Sequence, residues 1–121
     1  MGMTVLAVDD SRTIRDMLKY TLTQAGITSH FAEDGQEGIE VLDTVEPDVI
    51  ITDINMPRLD GFGFIYAIRA QETFKGIPII VLTTESSADL KARARTAGAT
   101  GWIVKPFDPD KLIKALNMVA G

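Results

Sequence analysis

Four separate stretches of this chain end in groups suited to cation or phosphate chemistry: Asp9-Asp10, Asp53, Thr83 and Lys105. Two adjacent carboxylates and a third elsewhere repel at close range, so at least one pKa rises unless a cation intervenes. Oxygen ligands of this kind suit Mg²⁺, which keeps several waters and takes one or two carboxylates together with substrate phosphate. A lysine facing them is a compact point charge for phosphoryl oxygens. A threonine hydroxyl can bond one more. The chemistry these groups would perform together is phosphoryl transfer, which is mostly positioning and charge neutralisation. Asp53 would be the nucleophile and form an aspartyl phosphate. Asp10, Asp53 and, through water, Asp9 would hold Mg²⁺. Lys105 and Thr83 would take the remaining phosphoryl oxygens.

Each residue also has an ordinary reading. An Asp after a strand commonly forms a turn or caps a helix, which is the expected role of Asp60 and Asp108 and stays open for Asp10. Alone, Lys105 reads as a surface lysine and Thr83 as a strand former. Their convergence carries the functional reading.

That convergence depends on the elements between them, which the apolar spacing predicts. A strand over Met3–Val8 leads to Asp9-Asp10. Ser11 is a candidate N-cap for a helix with Ile14, Met17, Leu18, Thr21 and Leu22 on its apolar stripe, closed by Gly26. Ile27–Ala32 is a weaker strand, expected near an edge. Asp34 and Glu37 have capping-box spacing, ahead of a helix carrying Ile39, Val41, Leu42 and Val45 and stopped by Pro47. Strand three, Asp48–Thr52, reads as buried on both faces and ends at Asp53. Pro57, Asp60 and Gly61 mark a loop. A helix over Phe62–Ala70 follows, with Phe64, Ile65 and Ile68 inward. Ile79–Leu82 is a second buried strand, ending at Thr83. A helix over Ala88–Ala97 carries Lys91, Arg93 and Arg95 and closes at Gly98. Strand five, Gly101–Val104, ends at Lys105-Pro106. Asp108 then caps a helix with Pro109 at its first position and Leu112, Ala115, Leu116 and Val119 as its stripe.

Strands alternating with helices imply an α/β fold, a doubly wound parallel five-stranded sheet with helices on both faces. Such sheets place their ligands at the carboxyl ends of the strands, where all four stretches fall. The 121 residues suit one domain, 1–121, with no output domain. Net charge is −5 and there is no cysteine. Acidity argues against nucleic acid, whose binding draws on phosphate neutralisation. Missing thiols exclude thiolate zinc sites and a disulfide scaffold. No apolar run approaches the roughly 20 residues of a membrane span, and Met1–Leu6 lacks a signal-peptide pattern. A cytoplasmic protein without membrane insertion is expected. His30, the single histidine, reads as a strand residue and not a phosphocarrier.

Taken together, Asp9-Asp10-Ser11-Arg12, Asp53-Ile54-Asn55-Met56-Pro57, Asp60-Gly61, Thr83, Gly98-Ala99 and Lys105-Pro106 resemble the response-regulator receiver domains of two-component phosphorelay systems. The resemblance spans the whole chain and is strongest to the stand-alone chemotaxis regulators. It implies the flavodoxin-like (βα)5 strand order 2-1-3-4-5 and a cis Lys105-Pro106 bond. It implies a sensor histidine kinase, CheA-like, as phosphoryl donor to Asp53. A flagellar motor switch protein or a phosphatase would be a further partner, and the chain a monomer. The Asn55 backbone carbonyl would complete the Mg²⁺ shell, and Asn55 and Glu85 would tune phosphate lifetime. Thr83 and Trp102 would form the switch, with Trp102 moving from exposed towards buried. Lys91, Arg95, Trp102 and Lys111 would offer the partner surface. Catalysis would be limited to the chain's own phosphorylation and dephosphorylation. Two positions depart from the family pattern. Trp102 stands where Tyr or Phe is usual, and Thr84 where Ala or Gly is more common.

Other roles compete. A phosphate sink or a phosphorelay intermediate would use the same residues. A Mg²⁺-dependent phosphotransferase for small substrates needs a substrate pocket, which short loops without a cap domain do not supply. A flavin carrier needs a phosphate-cradling loop after strand one, where Asp9-Asp10 would repel phosphate.

Overall fold

The computed structural model describes residues 2–120; the ends of the expected domain, Met1 and Gly121, lie outside the described residues. Five strands and five helices alternate: β1 Thr4–Val8, α1 Arg12–Gln24, β2 Thr28–Ala32, α2 Gly35–Val45, β3 Val49–Thr52, α3 Gly61–Arg69, β4 Ile79–Thr83, α4 Ala88–Ala97, β5 Gly101–Val104 and α5 Pro109–Ala120. The strands form one parallel sheet in the order β2-β1-β3-β4-β5. Fold class and strand order are as expected, and the stated boundaries agree to within a residue.

Strand alternation sorts the core into two layers. Val5, Ala7, Val49, Ile51, Ile80 and Leu82 pack with Leu18 and Leu22 of α1 and Leu112 and Leu116 of α5. Leu6, Val8, Ile50, Ile79 and Val81 face the other way, against Leu42 of α2, Phe64, Ile65 and Ile68 of α3 and Ala94 of α4. Successive strand side chains point to opposite faces, so β3 and β4 are buried throughout. β2 is an edge strand with an exposed His30.

Helix starts follow the cap chemistry of the sequence. Ser11, Asp34 and Asp60 accept from the backbone N–H of Ile14, Glu37 and Gly63. Asp108 accepts from the Lys111 N–H. Ser87 adds a cap for α4, accepting from Leu90, that was not expected. Each cap contributes about 1 kcal/mol. Two expectations are corrected. Glu37 reaches back to the Glu33 N–H, not to that of the capping residue. Met17 is 41% exposed, because Leu18, Thr21 and Leu22 already fill the α1 contact with the sheet.

Gly61 opens α3 and is more than a turn former. A Cβ there would meet the Asp53 carbonyl oxygen at 2.3 Å and Ile54 Cα at 2.6 Å, both backbone atoms. An alanine in place of a helical glycine ordinarily stabilises by about 1 kcal/mol. At Gly61 the sign reverses: Gly61→Ala is expected to destabilise by about 2 kcal/mol through overpacking. Urea denaturation measures the difference, and a stabilised variant contradicts the close approach.

Candidate functional site

Every residue singled out for chemistry lies at the carboxyl edge of the sheet or on the loops leaving it. Asp9 follows β1 and is 2% exposed; Asp53 follows β3 and is 7% exposed. The parallel ladder continues into both, with Asp9 N–H donating to Ala32 and Asp53 N–H to Val8 at 3.0 Å. Lys105 follows β5, and its backbone N–H donates to the Thr83 carbonyl at 2.7 Å.

The Lys105 ammonium lies between two carboxylates. Its Nζ stands 2.8 Å from Asp9 Oδ2 and donates to Asp53 Oδ2 at 2.9 Å. The second oxygens are held by backbone: Ser11 N–H donates to Asp9 Oδ1 at 2.9 Å and Ile54 N–H to Asp53 Oδ1 at 2.7 Å. Burial pushes the Asp9 carboxyl above its ordinary pKa, against the pull of Lys105 and the Ser11 N–H. Burial also acts to lower the Lys105 pKa, but the close contacts with the Asp9 and Asp53 carboxylates outweigh it and leave the ammonium's pKa raised. Lys105 is thus charged at neutral pH.

Asp10 is exposed, and one oxygen from each of Asp9, Asp10 and Asp53 lies within 4.8 Å of the others. Three carboxylates thus gather at one ammonium, which contacts two of them, Asp9 and Asp53. Asp9 Oδ2 is buried without a hydrogen bond, since Lys105 meets it in distance but not in direction. A buried carboxylate oxygen of this kind, beside two further carboxylates, fits a hard cation. Mg²⁺ would take one or two of these carboxylates directly and keep waters at its other positions.

Thr83 is fully buried but turns elsewhere. It shares strand parity with Ile79 and Val81, which face the α2–α4 layer. Its Oγ1 accepts from the Glu85 N–H at 3.3 Å, and the Glu85 carbonyl accepts from Trp102 Nε1 at 3.1 Å. Thr83, Glu85 and Trp102 therefore form one connected group. Trp102 is half-buried against the α2–α4 layer, between the two positions expected of it. Lys91, Arg95 and Trp102 line a cleft of about 80 Å³ between α4 and β5. Lys111 is exposed on α5 and not part of that lining. Arg93 instead stacks over the Phe62 ring at 3.9 Å. Asn55 is exposed on the loop between β3 and α3, and Thr84 is exposed after β4. The Lys105–Pro106 bond is cis.

Sequence reasoning missed two supports. Thr52 Oγ1 donates to the Asp53 carbonyl at 2.8 Å. Arg15 reaches back from α1 to donate to the Asp9 carbonyl at 2.7 Å. The available signal for Arg15 was its place one turn past Ser11, on the half of α1 that can turn towards Asp9.

Residues 5–117 match the response regulator receiver domain family. The chain belongs to that family. This receiver domain is 42% identical to chemotaxis protein CheY1 of Helicobacter pylori strain J99, over 98% of each chain. It resembles the crystal structure of chemotaxis protein CheY4 of Vibrio cholerae with a TM-score of 0.94 and 46% identity, covering 98% of this chain and 99% of that one. It also resembles the receiver domain of a sensor histidine kinase from Pseudomonas aeruginosa, with a TM-score of 0.92 and 27% identity, covering 100% of this chain and 99% of the other. That structure has a magnesium ion coordinated in its active site cleft. A receiver domain is the signalling module of a response regulator and not a classical enzyme. No helix among the described residues is long and apolar enough to cross a membrane.

Proposed function

We propose that this receiver domain is a chemotaxis response regulator, switched by phosphorylation of Asp53 from a histidine kinase. The observation that carries the reading is the Lys105 ammonium held between Asp9 and Asp53. Such a contact costs two buried carboxylates their water, and it is useful where a new anion will need that ammonium.

In the transfer step an Asp53 carboxylate oxygen forms a bond to phosphorus. The P–N bond of a phosphohistidine, or the P–O bond of an acyl phosphate, breaks, and the leaving group keeps the electron pair. The Ile54 N–H and Lys105 fix the carboxylate, and a carboxylate retains lone pairs beyond the two they occupy. Lys105 then follows the negative charge onto a phosphoryl oxygen, with the Thr83 hydroxyl as a second donor. Mg²⁺ bound by Asp10, Asp53 and the Asn55 carbonyl, with Asp9 through water, would neutralise charge on the carboxylate and phosphoryl oxygens. To donate to the phosphoryl group the Thr83 hydroxyl has to move towards it, and its oxygen then shifts relative to the Glu85 N–H from which it accepts. Glu85 in turn holds Trp102, so the exchange reaches the α4–β5 cleft with Lys91 and Arg95. This is a local charge change biasing a two-state element. Lys111 extends the partner surface onto α5, and Asn55 and Glu85 flank the phosphoryl position to tune its lifetime.

The full-length similarity to CheY1 and CheY4 supports a chemotaxis output and supports reading 1–121 as one receiver unit. A CheA-like kinase, a motor switch protein or a phosphatase, and a cytoplasmic monomeric state belong to the same reading. Its chemistry is limited to phosphorylation and dephosphorylation of its own Asp53.

With Mg²⁺ and a small acyl phosphate, the intact chain is expected to gain the mass of one phosphoryl group, and to lose it to hydroxylamine, which cleaves acyl phosphates and spares phosphate esters. Chelation of Mg²⁺ should prevent the gain. A modification resistant to hydroxylamine, or indifferent to chelation, overturns the proposal.

A further inference from the structure

The loop between β3 and α3 contains a strained turn whose restraint lies outside the site described above. Arg58 has φ +65°, the left-handed region that side chains with a Cβ rarely adopt. The Leu59 N–H donates to the Pro57 carbonyl at 2.7 Å, closing a three-residue γ-type turn around Arg58. Such turns are strained and persist only where their surroundings over-determine them. The only other non-glycine residue with positive φ among the described residues, Glu46, ends a helix, where that conformation is ordinary.

The loop is closed at its base by the Gly61 N–H donating to the Ile54 carbonyl at 3.0 Å, with Met56 and Leu59 packed on the core. Two further contacts restrain the Arg58 turn. The guanidinium grips Asp34 with both arms, Nε to Oδ2 at 2.8 Å and Nη2 to Oδ1 at 3.1 Å. Asp34 is 6% exposed and is itself fixed as the N-cap of α2. Beside it, the Gly35 N–H donates to the Leu59 carbonyl at 3.1 Å. A Cβ on Gly35 would come within 2.6 Å of that oxygen. The start of α2 therefore holds the second half of the loop, while the first half carries Asn55.

We propose that the Arg58–Asp34 clamp is the positioning device for the β3–α3 loop, holding the Asn55 backbone carbonyl where a divalent cation at Asp10 and Asp53 can use it. The inference rests on the Mg²⁺ reading above. Arg58 does not touch the reacting atoms. It acts through a loop that would otherwise relax out of its γ-turn, and a planar fork is the side chain that can fix such a turn in orientation as well as distance.

Arg58→Gly separates the clamp from the strain, because glycine accepts the positive φ and removes the grip. Arg58→Lys keeps a charge without the fork. Asp34→Asn keeps a capping side chain and weakens the grip. Mg²⁺ affinity is read by titration calorimetry on the unphosphorylated chain, loop order by amide hydrogen exchange at Met56 and Leu59, and global stability by urea denaturation. Arg58→Gly should bind Mg²⁺ roughly tenfold more weakly, in line with other supports of metal ligands. Its loop amides should exchange faster, and by more than is explained by any fall in unfolding midpoint from leaving the buried Asp34 without its partner. Arg58→Lys should recover part of the affinity. Arg58→Gly combined with Asp34→Asn should lose no more than Arg58→Gly alone, because the two residues act as one unit. Wild-type Mg²⁺ affinity in Arg58→Gly overturns the clamp proposal, as does additive loss in the double variant. A wild-type chain that binds no Mg²⁺ instead overturns the metal reading beneath it.

Discussion

Asp53→Asn abolishes covalent phosphorylation, by at least roughly a thousandfold in rate with an acyl-phosphate donor and Mg²⁺. The amide keeps the size of the carboxylate and can still accept from Ile54 N–H, so the fold is expected to survive. The nucleophilic oxygen and its charge are gone, and no neighbour replaces them. Asp9 is 2% exposed, with Oδ1 on Ser11 N–H and Oδ2 on Lys105. Asp10 is exposed and faces solvent. Asp53 is the carboxylate that combines slight exposure with contact to the ammonium meant for the incoming phosphate. Intact-mass measurement over time decides the matter. Phosphorylation of Asp53→Asn at even a tenth of the wild-type rate would place the nucleophile elsewhere.

Lys105→Met is expected to cost about 3 kcal/mol of folding stability at neutral pH without added divalent cation. Loss of one partner from a buried ion pair typically costs 3–5 kcal/mol, and the lower end applies because the site opens to water on the Asp10 side. For a chain of this size the melting temperature should fall by roughly 10 °C. The pH dependence follows from the two groups that the contact perturbs. Asp9 has a raised pKa in the folded chain. Above its ordinary 3.8, the folded state therefore holds a proton more readily than the unfolded one, and stability falls as pH rises through that window. Removing Lys105 removes an attraction that limits this rise, so the variant's deficit grows with pH through the carboxylate range. The Lys105 pKa is raised from 10.5, so the wild-type contact persists to alkaline pH and weakens only as pH passes the raised value. Mg²⁺ should narrow the deficit, since without the ammonium the carboxylates bind the cation more tightly, and each tenfold gain in affinity adds about 1.4 kcal/mol at saturating Mg²⁺. Thermal melts at about pH 4 and pH 8, with and without Mg²⁺, test both statements. A deficit that is equal at both pH values and unmoved by Mg²⁺ would mean that the carboxylates are not what Lys105 stabilises.

The two predictions describe one contact from opposite sides. Lys105 neutralises the site before phosphate arrives and is available to it afterwards. Asp9 gains little from this arrangement and pushes stability down at neutral pH. A site that is electrostatically costly when empty is the expected signature of one built for a charged ligand.

Much of this was legible before any coordinates. The three central strands, β1, β3 and β4, show as short apolar runs because burial on both faces leaves no room for polar alternation. Caps at Ser11, Asp34, Asp60 and Asp108 show because a side chain that bonds its own helix start does so over three residues. Asp53 and Lys105, 52 residues apart, could be assigned to one edge because parallel strands joined by helices send all their carboxyl ends the same way. Local chemistry and topology thus determined which residues gather and what reaction suits them.

Direction and partnership were decided only in three dimensions. Strand parity sends Val5, Ala7, Val49 and Ile51 towards the α1–α5 layer and Ile79, Val81 and Trp102 towards the α2–α4 layer, but the sequence does not say which layer either parity meets. Gly61 looks like a turn former until the Asp53 carbonyl is seen against its Cα. Nothing local marks Arg58, whose partner Asp34 is brought beneath it by the start of α2 from 24 residues away. Close approach and charge pairing depend on distances set by the packing of whole elements, and those distances have no period in the sequence to betray them.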